Sequence, residues 1–328
     1  MTMIFKYWLG CCLTALLLVP IFAQAQPEEE VVPIHFSDTT WYDKGFDFYI
    51  GAGMFIGNKF NANYYNGSNL NENSLNYLFS NKYLKDDLLL EIYDAYPGVS
   101  GDVNLPLDPG GDYNWNTNYK LNIMISLGLR YKIRNGWGIS LSYSYSQLTT
   151  NAQCMLLTQN PTGTSYVQPV MSMVGKERRS MFDLSFSYLF SKVHRVVKPF
   201  IELGVQFNYA KVKSFEACLL GADGRPTQNT HTLLDYYNGE GYYPGAQAYD
   251  FITFGGPGFG FSGSAGLKIA LNQFVSLDPS FYCSASRVGI YQQKNSPVEG
   301  FKEDNRFAFN YGVLLRVTVN DFFIAQHR

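Results

Sequence analysis

Side chains that could do chemistry are sparse in this chain of 328 residues, and their spacing argues mostly against it. Histidine occurs at positions 35, 194, 231 and 327. His231 precedes Asp235 closely enough for an imidazole–carboxylate pair, the minimum for a general base, but neither a nucleophile elbow nor metal-ligand spacing accompanies it. Asp112, Asn114, Asn116 and Asn118 open like a calcium loop, whose ligands come from alternate positions. Its sixth position, however, is Thr117, where the sharp turn needs Gly, and its twelfth is Ile123, where a bidentate Glu belongs. The run Gly255-Gly256-Pro257-Gly258-Phe259-Gly260 precedes no helix, so its backbone cannot form a phosphate-binding helix start. Asn66-Gly67-Ser68 spells a glycosylation sequon, which bacterial export does little to support. Cys154 and Cys218 could form a disulfide, whereas Cys283 should stay free. No catalytic residue, cofactor or metal is therefore expected; an enzyme reading would rest on His231.

The elements that position these residues are clearer. In "YKLNIMISLGLRYKIRNGWGISLSYSYSQL", Tyr119 to Leu148, every second residue is apolar. Leu121, Ile123, Ile125, Leu127, Leu129, Tyr131 and Ile133 share one side, with Asn122, Ser126, Gly128, Arg130 and Lys132 on the other. A period of two is the strand signal. Asn135-Gly136 tolerates the positive φ of a two-residue hairpin turn, and the alternation resumes at Trp137.

Met1 to Lys6, the apolar run Tyr7 to Phe22 and Ala23-Gln24-Ala25 read as a signal peptide over residues 1–25. Residues 26–45 form a leader. After Phe22 no apolar run is long enough for a transmembrane helix, although 46% of the chain is hydrophobic and 16% aromatic. The balance of 25 basic against 27 acidic side chains gives no footprint for nucleic acid. Strand alternation recurs near residues 46–57, 119–133, 137–148, 178–190, 198–213, 258–271, 274–288 and 306–322. The connections alternate strictly: about 60 residues, a tight turn, about 30, a short turn, about 45, a tight turn and about 17. Segments of this length exceed the five or six residues usual in soluble strands.

One face of these segments is small and polar: Ser140, Ser142, Ser144, Ser146, Ser185, Ser187, Gly204, Gly260, Ser262 and Ser264. The other is bulky, as in Phe182, Leu184, Phe186, Tyr188 and Phe190. Small inward side chains suit the lumen of an eight-stranded barrel, with the bulky face against lipid. The expected fold is all-β, a closed antiparallel eight-stranded transmembrane β-barrel over residues 46–322 with long extracellular loops and a periplasmic tail at 323–328. Ser74 to Ala95 reads as a helix in the first loop, with Leu75, Leu78, Leu88, Leu89 and Ile92 as its stripe. Trp137, Phe274, Phe322 and Phe323 should form the inner aromatic girdle, and Tyr119, Tyr145, Phe259 and Phe307 the outer. Inward parity also collects Asp47, Arg130, Lys132, Glu202, Lys268, Asp278 and Arg316 near the short-turn end, with Asp183 higher. Opposite charges in so narrow a lumen should interlock.

On this pattern the chain resembles the eight-stranded outer-membrane barrels of the OmpA transmembrane-domain and OmpX type, with the enlarged loops common in Bacteroidota outer-membrane barrels. The resemblance implies a bacterial outer-membrane protein in contact with outer-membrane lipids. It departs from the pattern in that Phe322-Phe323 is followed by Ile-Ala-Gln-His-Arg in place of a terminal aromatic residue. The expected function is non-enzymatic: a plugged barrel whose loops bind a protein partner or surface glycan, or join a larger outer-membrane complex. A narrow channel or porin, and an outer-membrane enzyme at the extracellular rim, are the alternatives.

Overall fold

A computed structural model describes residues 45–67, 75–80, 82–97, 99, 103–104, 117–158, 168–190, 196–234, 255–272, 274–290 and 307–320. They lie in the compact unit Trp41–Arg328; the unit Met1–Thr40, with the expected signal peptide, lies outside the described residues, as do the tail and Phe322-Phe323. Eight long strands dominate. They are β1 (Gly45–Ile56), β2 (Asn122–Arg134), β3 (Trp137–Met155) and β4 (Val170–Leu189). They continue with β5 (Val197–Leu220), β6 (Gly255–Ala270), β7 (Val275–Ser286) and β8 (Ala308–Val319). Each pairs antiparallel with its sequence neighbours, and β1 pairs with β8, so that Phe48 faces Leu129 of β2 on one side and Val319 of β8 on the other. Every strand of the ring thus has a partner on both edges.

The turns follow from local chemistry. Asn135 and Gly136 both take positive φ, 54° and 83°, which matches the twist of the flanking strands. At the β6–β7 turn the Asn272 Oδ1 accepts from the backbone N–H of Phe274 and of Val275, both at 2.8 Å. Inside the ring, small residues make room for large ones: a Cβ on Gly128 would lie 2.5 Å from the Tyr49 ring, so the phenol lies across the space that the glycine leaves.

Strand lengths are uneven. β1, β7 and β8 have 12 residues, while β3, β4 and β5 run to 19, 20 and 24. Twelve residues tilted about 40° rise about 30 Å, enough for a hydrocarbon layer. The excess of β3–β5 stands beyond it, and there the polarity of the strand faces inverts. Below, Ile139, Leu141, Phe182, Leu184, Phe186, Leu203, Val205 and Phe207 point out and are exposed, with Ser140, Ser144, Asp183, Ser185 and Glu202 buried inside. Above, Gln147, Gln153, Lys176, Arg178 and Lys213 are exposed outward residues, with Met155 the exposed apolar one at the end of β3, while Leu148, Ala152, Met173, Met171, Phe215 and Leu219 are buried inside. The inversion is level across strands: Tyr145 pairs with Ser180 and Ser180 with Tyr209, and one step higher Gln147 pairs with Arg178 and Arg178 with Lys211.

The raised wall supports a cap. Residues of the first long loop form α1 (Asn76–Ser80) and α2 (Lys82–Ala95). Their stripe of Leu75, Leu78, Leu88 and Ile92 is fully buried against inward residues of the wall, forming one apolar cluster with Tyr65, Leu148, Met173, Phe215 and Leu219. Together these side chains would lose several kcal/mol if the cap lifted.

Candidate functional site

The lumen holds two charged clusters and one polar link. Near the short-turn end Asp47 receives Lys268 at 2.8 Å and Lys132 at 3.0 Å. One layer higher Glu202 binds two guanidinium groups, Arg130 on Oε1 and Arg316 on Oε2 at 2.7 Å, and takes the Ser264 hydroxyl at 2.6 Å. Asp278 lies 3.9 Å from Arg130 and accepts from Ser276 and Thr318 at 3.0 and 2.8 Å. The register explains the grouping: Asp47 faces Arg130 across β1–β2, and Asp278 faces Arg316 across β7–β8. Arg316 and Arg130 also bracket the Tyr49 ring, at 5.0 and 5.8 Å. The structure therefore brings together Asp47, Arg130, Lys132, Glu202, Lys268, Asp278 and Arg316, all buried.

Asp183 does not join them through a cation. Its Oδ1 accepts from the Gln206 amide at 2.9 Å, and the same amide donates to Tyr282. At the long-loop mouth lies a second charged cluster, which sequence reading left out because the strand expected at 178–190 begins at Arg178 and excludes Glu177. Glu177 and Arg179 pair at 2.6 Å with at most 1% exposure. The Tyr65 and Tyr119 hydroxyls donate to the second Glu177 oxygen at 2.7 and 3.0 Å. Burial first, then the Glu177 carboxylate, pushes both phenols well above their ordinary range, so they remain proton donors. Arg179 completes the layer by donating to Asn310 at 3.2 Å. Odd-numbered parity of β4, running Ser187, Ser185, Asp183, Met181, Arg179, Glu177, was the sequence signal for this pair.

Two expectations need correction. Cys154 and Cys218 are free thiols, not a disulfide. Cys154 faces Met171 on β4, whereas Cys218 faces Ser172 from the other side of β4. Two strand spacings, about 10 Å, separate their backbones, beyond the roughly 7 Å that a disulfide tolerates. Tyr119 is not part of an outer girdle: it is buried and points inward. Tyr119 pairs with Thr150 but Met124 with Ser146, so the register slips by one residue between them and reverses the parity. Cys283, as expected, lies exposed on the outward face.

On the cap, His231 faces Glu91 of α2 at 3.0 Å, and Thr227 donates to the other Glu91 oxygen. A groove opens there between α2, with Asp87, Leu90 and Asp94, and residues 227–231. Asp235, like Asp112, Asn114, Asn116 and Ser68, lies outside the described residues. Among the described residues no cluster of His, Cys, Asp and Glu could hold a metal.

No protein-family model matches the sequence, and no curated protein matches it. Solved structures with a similar strand ring include the outer membrane protein OprG from Pseudomonas aeruginosa, at 10% identity and a TM-score of 0.36, covering 86% of this chain and 100% of that one. Neisserial surface protein A is similar at 11% identity and 0.34, over 83% and 96%. Ail, the attachment invasion locus protein of Yersinia pestis, solved with the heparin analogue sucrose octasulfate, is similar at 11% and 0.29, over 84% and 97%.

Proposed function

We propose that this chain is an integral barrel of the bacterial outer membrane that conducts little or nothing, and that its capped end is a cell-surface platform for a protein or glycan partner. The inversion of strand polarity carries the reading. Below the level of Tyr145, Ser180 and Tyr209, no Asp, Glu, Lys or Arg faces outward from any described strand position whose side chain is placed, which hydrocarbon requires and water does not. Above it the strands follow the ordinary rule of soluble proteins, apolar in and polar out. No described helix is long and apolar enough to cross a membrane, so spanning falls to the strands.

The platform reading draws on the groove beside α2, where Leu90 is 65% exposed between Asp87 and Asp94. We read it as a binding surface and not a catalytic centre, because His231 and Thr227 both direct their polar atoms to Glu91. Reconstitution into liposomes followed by proteinase K tests the membrane assignment: strand segments should be protected and cap segments cut. Cleavage throughout the strands would refute it. Affinity purification in mild detergent tests the platform; a protein that emerges alone, or a partner retained equally by Leu90→Arg, counts against it.

A further inference from the structure

We infer that the outward face of β4 and β5 at the outer membrane boundary, carrying Lys176, Arg178, Lys211 and Lys213, binds phosphate-bearing headgroups of outer-leaflet lipid; this rests on the membrane assignment above. Arg178 sits directly opposite Lys211, and a register shift places Lys213 beside Lys176. Like charges opposed across a strand pair destabilise the sheet unless an anion lies between them. No ion pair is formed by any of the four among the described residues. Desolvation among its neighbours, then the charges of Arg178 and Lys211, holds the Lys213 ammonium below its ordinary range. Glu216, the carboxylate farther along this face of β5 beside Val174, forms no ion pair with any of them among the described residues.

Their height selects the ligand. Lys211 and Arg178 stand one step above Tyr209 and Ser180, the last outward positions before the apolar belt of Phe207, Phe182 and their neighbours. A lipid whose chains lie along that belt carries its headgroup at this level. Neighbouring strands lie about 5 Å apart and alternate residues about 7 Å, so the four side chains cover the footprint of one or two phosphates. Lysine offers a point charge and arginine a fork of donors, and both recognise phosphate oxygens. Water-facing loops would offer the same cations to soluble anions, but here the apolar belt below adds a surface that only a lipid uses.

The test uses the full chain in neutral detergent, with lipid retention read by native mass spectrometry. The probes are diphosphorylated lipid A, its dephosphorylated form, and phosphatidylcholine. Diphosphorylated lipid A should be retained selectively and be lost at high salt. In the combined variant K176Q/R178Q/K211Q/K213Q its affinity should fall about a hundredfold, since each surface cation near an anionic interface contributes substantially. The control K82Q/K85Q, which removes cations from α2, should bind as the parent does. Equal retention of dephosphorylated lipid, or an unchanged combined variant, overturns the inference. So does inositol hexakisphosphate binding as tightly as lipid A, which would make the patch a site for soluble anions. Should the combined variant not fold, Arg178→Gln and Lys211→Gln tested singly must each weaken binding several-fold. Insertion into phosphatidylcholine vesicles is measured in parallel: a chain that does not insert sinks the membrane assignment itself, whereas one that inserts without phosphate selectivity sinks only this proposal.

Discussion

Glu202 is the residue on which most of the lumen depends, because it neutralises Arg130 and Arg316 at once in a space closed to water. Glu202→Leu would leave two buried cations short of a partner, and removal of one member of such a set typically destabilises by about 3–5 kcal/mol. A large drop in the urea midpoint of the folded, heat-modifiable form is the expected result. Asp183→Asn should lower it far less, by about 1 kcal/mol, since its hydrogen-bond partners are the Gln206 amide and the Ser262 hydroxyl, from which an asparagine oxygen can still accept. Equal losses in the two variants would mean that the charges are not organised as described. The cysteines give a second test at this scale. Burial pushes the Cys154 thiol up to about 12, and burial likewise raises Cys218. Reactivity needs the thiolate, so a water-soluble alkylating reagent at about pH 8 should leave both unmodified in the folded protein and label them after denaturation. Mass mapping without reductant should find no bond between them.

At the scale of elements, the wall of β3–β5 and the first-loop residues that it supports form one apolar cluster, and Gly175 lies at one of their contacts, against Tyr65. A Cβ there would lie 2.2 Å from the Tyr65 ring, so Gly175→Ala must displace the phenol that donates to Glu177. Faster hydrogen exchange across α1 and α2, with the barrel's heat-modifiable migration retained, is the expected outcome; unchanged exchange would show that the cap does not depend on that contact. The barrel strands were legible because one rule, apolar out and mostly small or polar in, runs along them, with Tyr49, Phe55, Met124, Phe200 and Leu314 as buried inward exceptions. Their extensions past Leu148, before Arg178 and past residue 213 were not, since from Gln147, Arg178 and Lys211 onward the rule inverts and a reader following it stops there. Tyr119 misled for a related reason: a slip of one residue reverses facing, and composition does not reveal it. Lumen partners such as Glu202 with Arg316 sit on strands far apart in sequence, so parity could name both but only the ring could join them.

For the whole molecule, eight strands leave a lumen that their own side chains fill, and here those side chains are tied by ion pairs at both ends. Planar bilayers should accordingly record no stable steps of porin size; reproducible large steps would favour the channel reading. Protease applied to intact cells should cut near Tyr83 of α2 and spare the turn around residues 191–197, and the reverse pattern would invert the orientation. The seam between β1 and β8 also governs how the molecule can be made. Phe48 must wait for Val319, so the ring stays open until β8 has been synthesised. Until then β1 presents an unpaired edge beside an apolar face, the combination that aggregates in water. Contact order this high makes folding slow, and a chain with its last strand deleted has no way to close on itself. The apolar outward face therefore stays beside an unpaired edge up to the moment of closure, and β8 acts as the latch that ends that exposure.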